Sequence, residues 1–232
     1  MKVAVINFSG NVGKTTIARH LLAPRIEGAE LIAVESINAH EGQVQALRGK
    51  QFGELQEYLQ TVDNVVVDIG ASNVEDLLTL MARYRGSHED FDYFVVPTVP
   101  ALKQQQDTIA TLTQLSRLGI PPFKLKVVFN QVEDDVGVTE AFDTLLAFIE
   151  QNRITQPSVQ CKLGANEIYE RVKGADKELS ELAGDDTDYK ALIAKAENIS
   201  DKLALAQKLA TRRLASGVVP ELDRCFAALE LR

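Results

Sequence analysis

The chain has 232 residues, 45% of them apolar, which is enough for one α/β domain or one domain with a helical annex. A formal net charge of -8 excludes a surface that binds nucleic acid all over and leaves room only for a local basic patch. Cys161 and Cys225 lie far apart without metal-ligand spacing, which predicts reduced thiols, and no apolar run is long enough to span a membrane.

In chain order, the apolar run Val3-Ala4-Val5-Ile6 predicts a strand over 2–8, followed at once by Ser9-Gly10-Asn11-Val12-Gly13-Lys14-Thr15-Thr16 and a helix over 15–22. A strand at that position is not a signal peptide, so a cytoplasmic location is expected. Further apolar runs predict strands over 31–35, 64–69, 93–98, 125–131 and 158–162, suited to parallel strands covered on both faces. Between them, Phe52, Leu55 and Leu59 recur at helical spacing, as do Ile109, Leu112 and Leu115, and then Phe142, Leu145, Leu146 and Ile149. Gly119-Ile120-Pro121-Pro122 stops one helix, with Gly just past its end and Pro beyond. After about Gly164 the chain is charged and helical. Gly184-Asp185-Asp186-Thr187-Asp188 reads as a break that caps a helix from Tyr189, with two more helices around 199–215 and 220–231. The expected fold is α/β, a doubly wound, mainly parallel sheet flanked by helices, with a nucleotide-binding core over 1–164 and a helical C-terminal extension over 165–232 packed on it.

Residues 9–16 carry the chemistry. A strand that feeds a Gly-rich loop and then a helix turns backbone N–H groups toward an anion. In that loop Lys14 is placed to reach β- and γ-phosphates, the Thr15 hydroxyl to ligate Mg²⁺, and Gly10 and Gly13 to let the backbone approach phosphate. The strict pattern places glycine where this chain has Phe8, but the setting between strand and helix is the one that supports the reading. Val65-Val66-Val67-Asp68 ends an apolar strand in a carboxylate, which in such a fold holds Mg²⁺ or its water shell, with Gly70 two residues on. Glu35 ends the second predicted strand and suits metal-bound or attacking water as well as it suits a solvated strand end. Asn130 ends the fifth, where its amide would pair with an adenine edge or simply form a turn. Lys195, Lys202, Lys208, Arg212 and Arg213 punctuate the tail. Acidic neighbours such as Glu197 and Asp201 favour a solvated helix face over a DNA-phosphate strip. His20, His40 and His88 are scattered and receive no ligand role.

The stretch Asn7-Phe8-Ser9-Gly10-Asn11-Val12-Gly13-Lys14-Thr15-Thr16, followed in order by Asp68, Pro97 and Asn130, resembles the ParA/MinD superfamily of P-loop ATPases over roughly the first two-thirds of the chain. Leu22-Ala23-Pro24-Arg25 and Asp185-Asp186-Thr187-Asp188-Tyr189 extend the resemblance to plasmid stability proteins. The resemblance implies an ATP/ADP switch with Mg²⁺, dimerising with ATP between subunits and working with a plasmid-encoded DNA-binding partner. It assigns the family's loop roles to Gly10, Gly13, Lys14, Thr15 and Thr16, the metal side to Asp68 beside Thr15, and the base to Asn130. Ser9, Asn11 and Val12 complete the expected cofactor-binding loop, and Lys14, Asp68 and Glu35 are the candidate catalytic set, Glu35 as the carboxylate nearest the region where the family carries its water-orienting Asp. Two departures point to slow hydrolysis. Ser9 stands where relatives carry a second lysine, and Ser36-Ile37-Asn38 where they carry a water-orienting Asp. An ATP-dependent small-molecule enzyme and a weakly hydrolysing scaffold on the same fold are the alternatives.

Overall fold

A computed structural model describes residues 1–34, 49–133, 135–174 and 177–232. Its sheet is built from β1 (Lys2–Val5), β2 (Glu30–Ala33), β3 (Val65–Asp68), β4 (Tyr93–Thr98), β5 (Leu125–Val132) and β6 (Lys162–Gly164) in the order β2-β3-β1-β4-β5-β6. Every neighbouring pair is parallel. The expected doubly wound parallel sheet is therefore present. β3 is buried throughout and β4 nearly so, because helices cover both faces of the sheet, whereas β2 is an edge strand with Leu31 exposed. Parallel registry sets Val5 beside Asp68, so the exit of β1 and the end of β3 share one edge of the sheet.

The connecting helices bury the apolar positions that the periodicity picks out. In α2 (Gly49–Leu59), Phe52, Leu55 and Leu59 are buried. α3 (Val74–Arg83) buries Val74, Leu77, Leu78, Leu80 and Met81. α4 (Leu102–Arg117) ends where expected, with Gly119 at φ 90 absorbing a backbone turn that a Cβ would disfavour.

Several boundaries differ from the sequence reading. The strand expected over 2–8 ends at Val5, although Ile6 N still donates to Val95 O at 3.0 Å. Continuing the ladder would bring Phe8 N to Pro97 O, but the Asn7 side-chain amide takes that carbonyl at 2.8 Å and Phe8 N turns to Thr111 Oγ1 at 3.1 Å. With its hydrogen bonds met elsewhere, the chain leaves the sheet. The helix expected over 15–22 begins as α1 (Lys14–Thr16) and continues as a π-helical stretch, Ile17–Leu22. The helix expected through Phe142 is divided into α5 (Val138–Ala141) and α6 (Asp143–Asn152), with Phe142 buried between them at φ -125. The last strand, expected over 158–162, lies instead at Lys162–Gly164. Cys161 N closes a turn onto Ser158 O, and pairing with β5 starts at the Cys161 carbonyl, which accepts from Phe129 N at 2.8 Å.

By compactness the chain divides into Met1–Ala165 with Cys225–Arg232, and Asn166–Arg224. The second unit holds α7 (Ile168–Arg171), α8 (Leu179–Ala183), α9 (Tyr189–Lys195) and most of α10 (Ile199–Leu229), with no strand among its described residues. The predicted break at Gly184–Asp188 is a capping turn. Asp188 Oδ1 accepts from Ala191 N at 3.0 Å, and Asp185 accepts from Thr187 N and Tyr189 OH, which holds its carboxyl well below the usual range. Arg212 donates to Asp185 O and Thr187 O and lies over the Tyr189 ring, so this member of the basic series is spent on the turn.

The two helices expected around 199–215 and 220–231 are one, α10, with Pro220 inside it. Gly217 and Pro220 read as a break, yet Ala215, Val218, Leu222, Cys225 and Leu229 lie on one buried stripe that runs through the proline. Burying each Val or Leu side chain there stabilises by about 1.5–3 kcal/mol, together outweighing the roughly 3 kcal/mol that an interior proline costs.

Candidate functional site

The loop after β1 is held from three sides. Asn7, fully buried, donates from Nδ2 to Pro97 O at the end of β4 and to Thr108 Oγ1 of α4, both at 2.8 Å. Its Oδ1 accepts from Ser9 N at 2.8 Å and from Thr111 Oγ1 at 3.5 Å. One carboxamide thus ties the start of the loop to β4 and α4 with all its donors and acceptors in use. Further along, Val12 is buried and its carbonyl accepts from Asn130 Nδ2 at 3.0 Å. Gly13 lies at φ +86, and a Cβ there would fall 2.3 Å from Asn130 Nδ2. The glycine is required by that approach and by its backbone conformation. At Gly10 an added Cβ would meet nothing within 4 Å, so no protein atom accounts for that glycine. Asn11, exposed at φ 57, is one of the residue types that tolerate the left-handed region.

Lys14 opens α1 and is buried, its Nζ donating to Ser9 O at 2.6 Å and Asn7 O at 3.2 Å. Its ammonium is therefore held inside the curl of the loop by the carbonyls that Asn7 positions. Next to it, Thr15 Oγ1 donates to Asp68 Oδ2 at 2.6 Å. Two residues 53 apart in sequence meet because β1 and β3 are neighbours in register. Thr16 follows in the first turn, and Ile17 N bonds back to Gly13 O at 2.9 Å. A hydroxyl beside a carboxylate, with a lysine one residue away and a helix start behind, suits Mg²⁺ held with phosphates. Among the described residues no cluster of three or more His, Cys, Asp or Glu side chains forms a metal cage, and Mg²⁺ with its waters and phosphates needs none.

The structure therefore brings Ser9–Thr16, Asp68 and Asn130 to one edge of the sheet. Asn130 reaches the loop carbonyl, a contact that the adenine assignment did not foresee. Glu35, with Ser36, Ile37, Asn38 and His40, lies outside the described residues. The brace through Asn7, Thr108 and Thr111 was missed by sequence reasoning. Its signal was available: Gln105, Thr108 and Thr111 recur every three residues along α4, and all are buried, while Ile109 is only partly so. Cys161 and Cys225 are buried, and burial pushes the Cys161 thiol up to about 11, in keeping with an inert structural thiol.

No family model matches the chain, and no curated protein matches it by sequence. Solved structures do match in fold. Apo McdA from Cyanothece is 15% identical at a TM-score of 0.52, covering 93% of this chain and 99% of that one. The MinD cell division protein of Aquifex aeolicus is 12% identical at 0.51, covering 93% and 97%. A MinC:MinD cell division protein complex from Aquifex aeolicus gives 11% identity at 0.52, covering 93% and 95%. The six-stranded parallel sheet with its flanking helices is the fold that this chain shares with them. Among the described residues no helix is long and apolar enough to cross a membrane.

Proposed function

We propose that this chain is an ATP-binding switch of the ParA/MinD type acting in plasmid stability or partition, and that it is StbB-like. The observation that carries the proposal is the Thr15 Oγ1–Asp68 Oδ2 bond of 2.6 Å beneath a loop that encloses Lys14. Loop and strand-end carboxylate are distant in sequence, and nothing but the fold joins them. In this reading Ser9–Thr16 line the phosphates. Lys14 exchanges the carbonyls of Asn7 and Ser9 for phosphate oxygens, a charge-assisted contact in place of neutral ones. Thr15 Oγ1 and Asp68 would hold Mg²⁺, the hydroxyl oxygen directly and the carboxylate through the metal's waters. The ion would supply positive charge to offset that of the phosphates. Asn130 keeps Nδ2 on the Val12 carbonyl and offers Oδ1 to the adenine edge.

Hydrolysis is slow in this proposal. Ser9 lies buried, its carbonyl on Lys14 and its N–H on Asn7, and it brings no positive charge to a phosphate across a dimer. A trans-acting cation of the arginine-finger kind is worth about 10³–10⁵ in rate, so turnover waits on a partner that supplies one. The partners proposed are a second copy of the chain and a plasmid-encoded DNA-binding protein.

Calorimetric titration with ATP, with and without Mg²⁺, tests the site. Lys14→Ala is expected to weaken ATP binding at least tenfold, and Thr15→Ala to erase most of the gain that Mg²⁺ gives. Equal ATP affinity in Lys14→Ala and the parent overturns the assignment.

A further inference from the structure

Between α3 and α4 the first unit has a groove that the nucleotide reading does not use. It is an open-sided depression with a volume of about 720 Å³, within the range of small-molecule sites. Phe8, Leu78, Ala82 and Leu118 form its apolar lining, and Arg83 and Arg117 stand at one end of it. Both arginines occupy the last turns of their helices. Both are exposed, and among the described residues neither guanidinium has a hydrogen bond or ion pair. Glu75 lies eight residues before Arg83 on α3, roughly 12 Å away along the helix. The groove therefore sets one carboxylate and two guanidiniums on an apolar lining interrupted by Thr79 and Gln114, with Glu75 and Arg83 at opposite ends of α3, in a chain whose net charge is -8.

Phe8 connects this groove to the loop. Its N–H donates to Thr111 Oγ1, on the helix that supplies Leu118 and Arg117. Its neighbours Asn7 and Ser9 provide the two carbonyls that hold Lys14 Nζ. Those two bonds restrain the segment that carries Phe8, and Phe8 is one wall of the groove.

We propose that the α3–α4 groove binds a small organic anion with an apolar body, an alkyl or aromatic carboxylate or sulfonate, and that Phe8 couples its occupancy to the loop. Two unpaired guanidiniums select the anionic head, and Arg presents a planar fork that fits it in a bidentate manner. Glu75 repels that head from the opposite end and so orients the ligand. The volume of the groove has room for a single small molecule. The coupling rests on the nucleotide reading above; the binding claim does not.

The probe is 8-anilinonaphthalene-1-sulfonate, titrated by fluorescence into the full chain, with decanoate and neutral 1-decanol as competitors. Saturable 1:1 binding is expected, displaced by decanoate and not by 1-decanol. It should weaken at least tenfold in the surface variant Arg83→Ala/Arg117→Ala. Binding that is unsaturable, or equal in the double variant, overturns the site. ATP is expected to shift the probe's affinity at least threefold in the parent and not in Phe8→Ala. ATP that binds by calorimetry without that shift overturns the coupling. A chain that binds no ATP defeats the nucleotide reading instead, and the groove then stands or falls on the arginine variant.

Discussion

Gly13 meets two demands at once. Its φ of +86 is one that L side chains resist by about 1–2 kcal/mol, and an added Cβ would strike the amide that Asn130 sends to the Val12 carbonyl. Gly13→Ala is expected to destabilise the fold by about 2–4 kcal/mol, the strain plus a broken buried hydrogen bond. It should also weaken ATP binding more than Asn130→Ala does, which removes the bond without the strain. Denaturant melts and ATP titration of the two variants check this; a Gly13→Ala protein as stable as its parent contradicts it. At this scale the nearness of Gly13, Lys14, Thr15 and Asp68 was legible, because the apolar runs before the loop and before Asp68 mark where two strands end. Asn7 was not legible as a brace. Its four contacts run to β4, α4 and the loop itself, and three of those partners sit about 90–104 residues away. The row of Gln105, Thr108 and Thr111 marks a polar face on α4 but does not name the partner that it meets.

The helix behind the loop illustrates how an element can be found and its geometry missed. Its apolar residues Ile17, Ala18, Leu21 and Leu22 are buried, which the pattern shows, but its widening into π-helical turns is not written in periodicity. Its end is closed by Arg25, whose Nη1 donates to the carbonyls of His20 and Leu21, with Pro24 preventing continuation. His20 on this helix is lowered to about 4, by burial first and by Arg19 second, so the folded chain keeps it neutral. The unfolded chain protonates it near 6.5, and between those values the unfolded state holds more protons. Stability is thus expected to fall as pH drops from about 6.5 toward 4, and His20→Gln should flatten that part of the profile. Melting temperatures from pH 7 to 4 measure it; parallel profiles for parent and variant refute the assignment. α10 teaches the converse lesson. Gly217 and Pro220 are strong local breakers, and the buried stripe that overrides them was visible only by counting through the proline.

At the scale of the molecule, alternation of strand and helix gave the sheet and the edge where ligands gather. It did not give the order β2-β3-β1-β4-β5-β6, since spatial order depends on which strands the crossovers pass, and connection lengths do not encode that. That order is what sets Asp68 beside the loop. A switch must also show its state to something outside itself. The central claim is that ATP, and not ADP, changes how this chain associates, with two loops facing across bound nucleotide despite Ser9. Multi-angle light scattering of the purified chain with Mg-ATP, Mg-ADP and no nucleotide tests it most directly. The account predicts twice the monomer mass with ATP, monomer in the other two conditions, and a dimer that persists for a long time because turnover is slow. The same mass in all three conditions, with ATP binding verified, would contradict it.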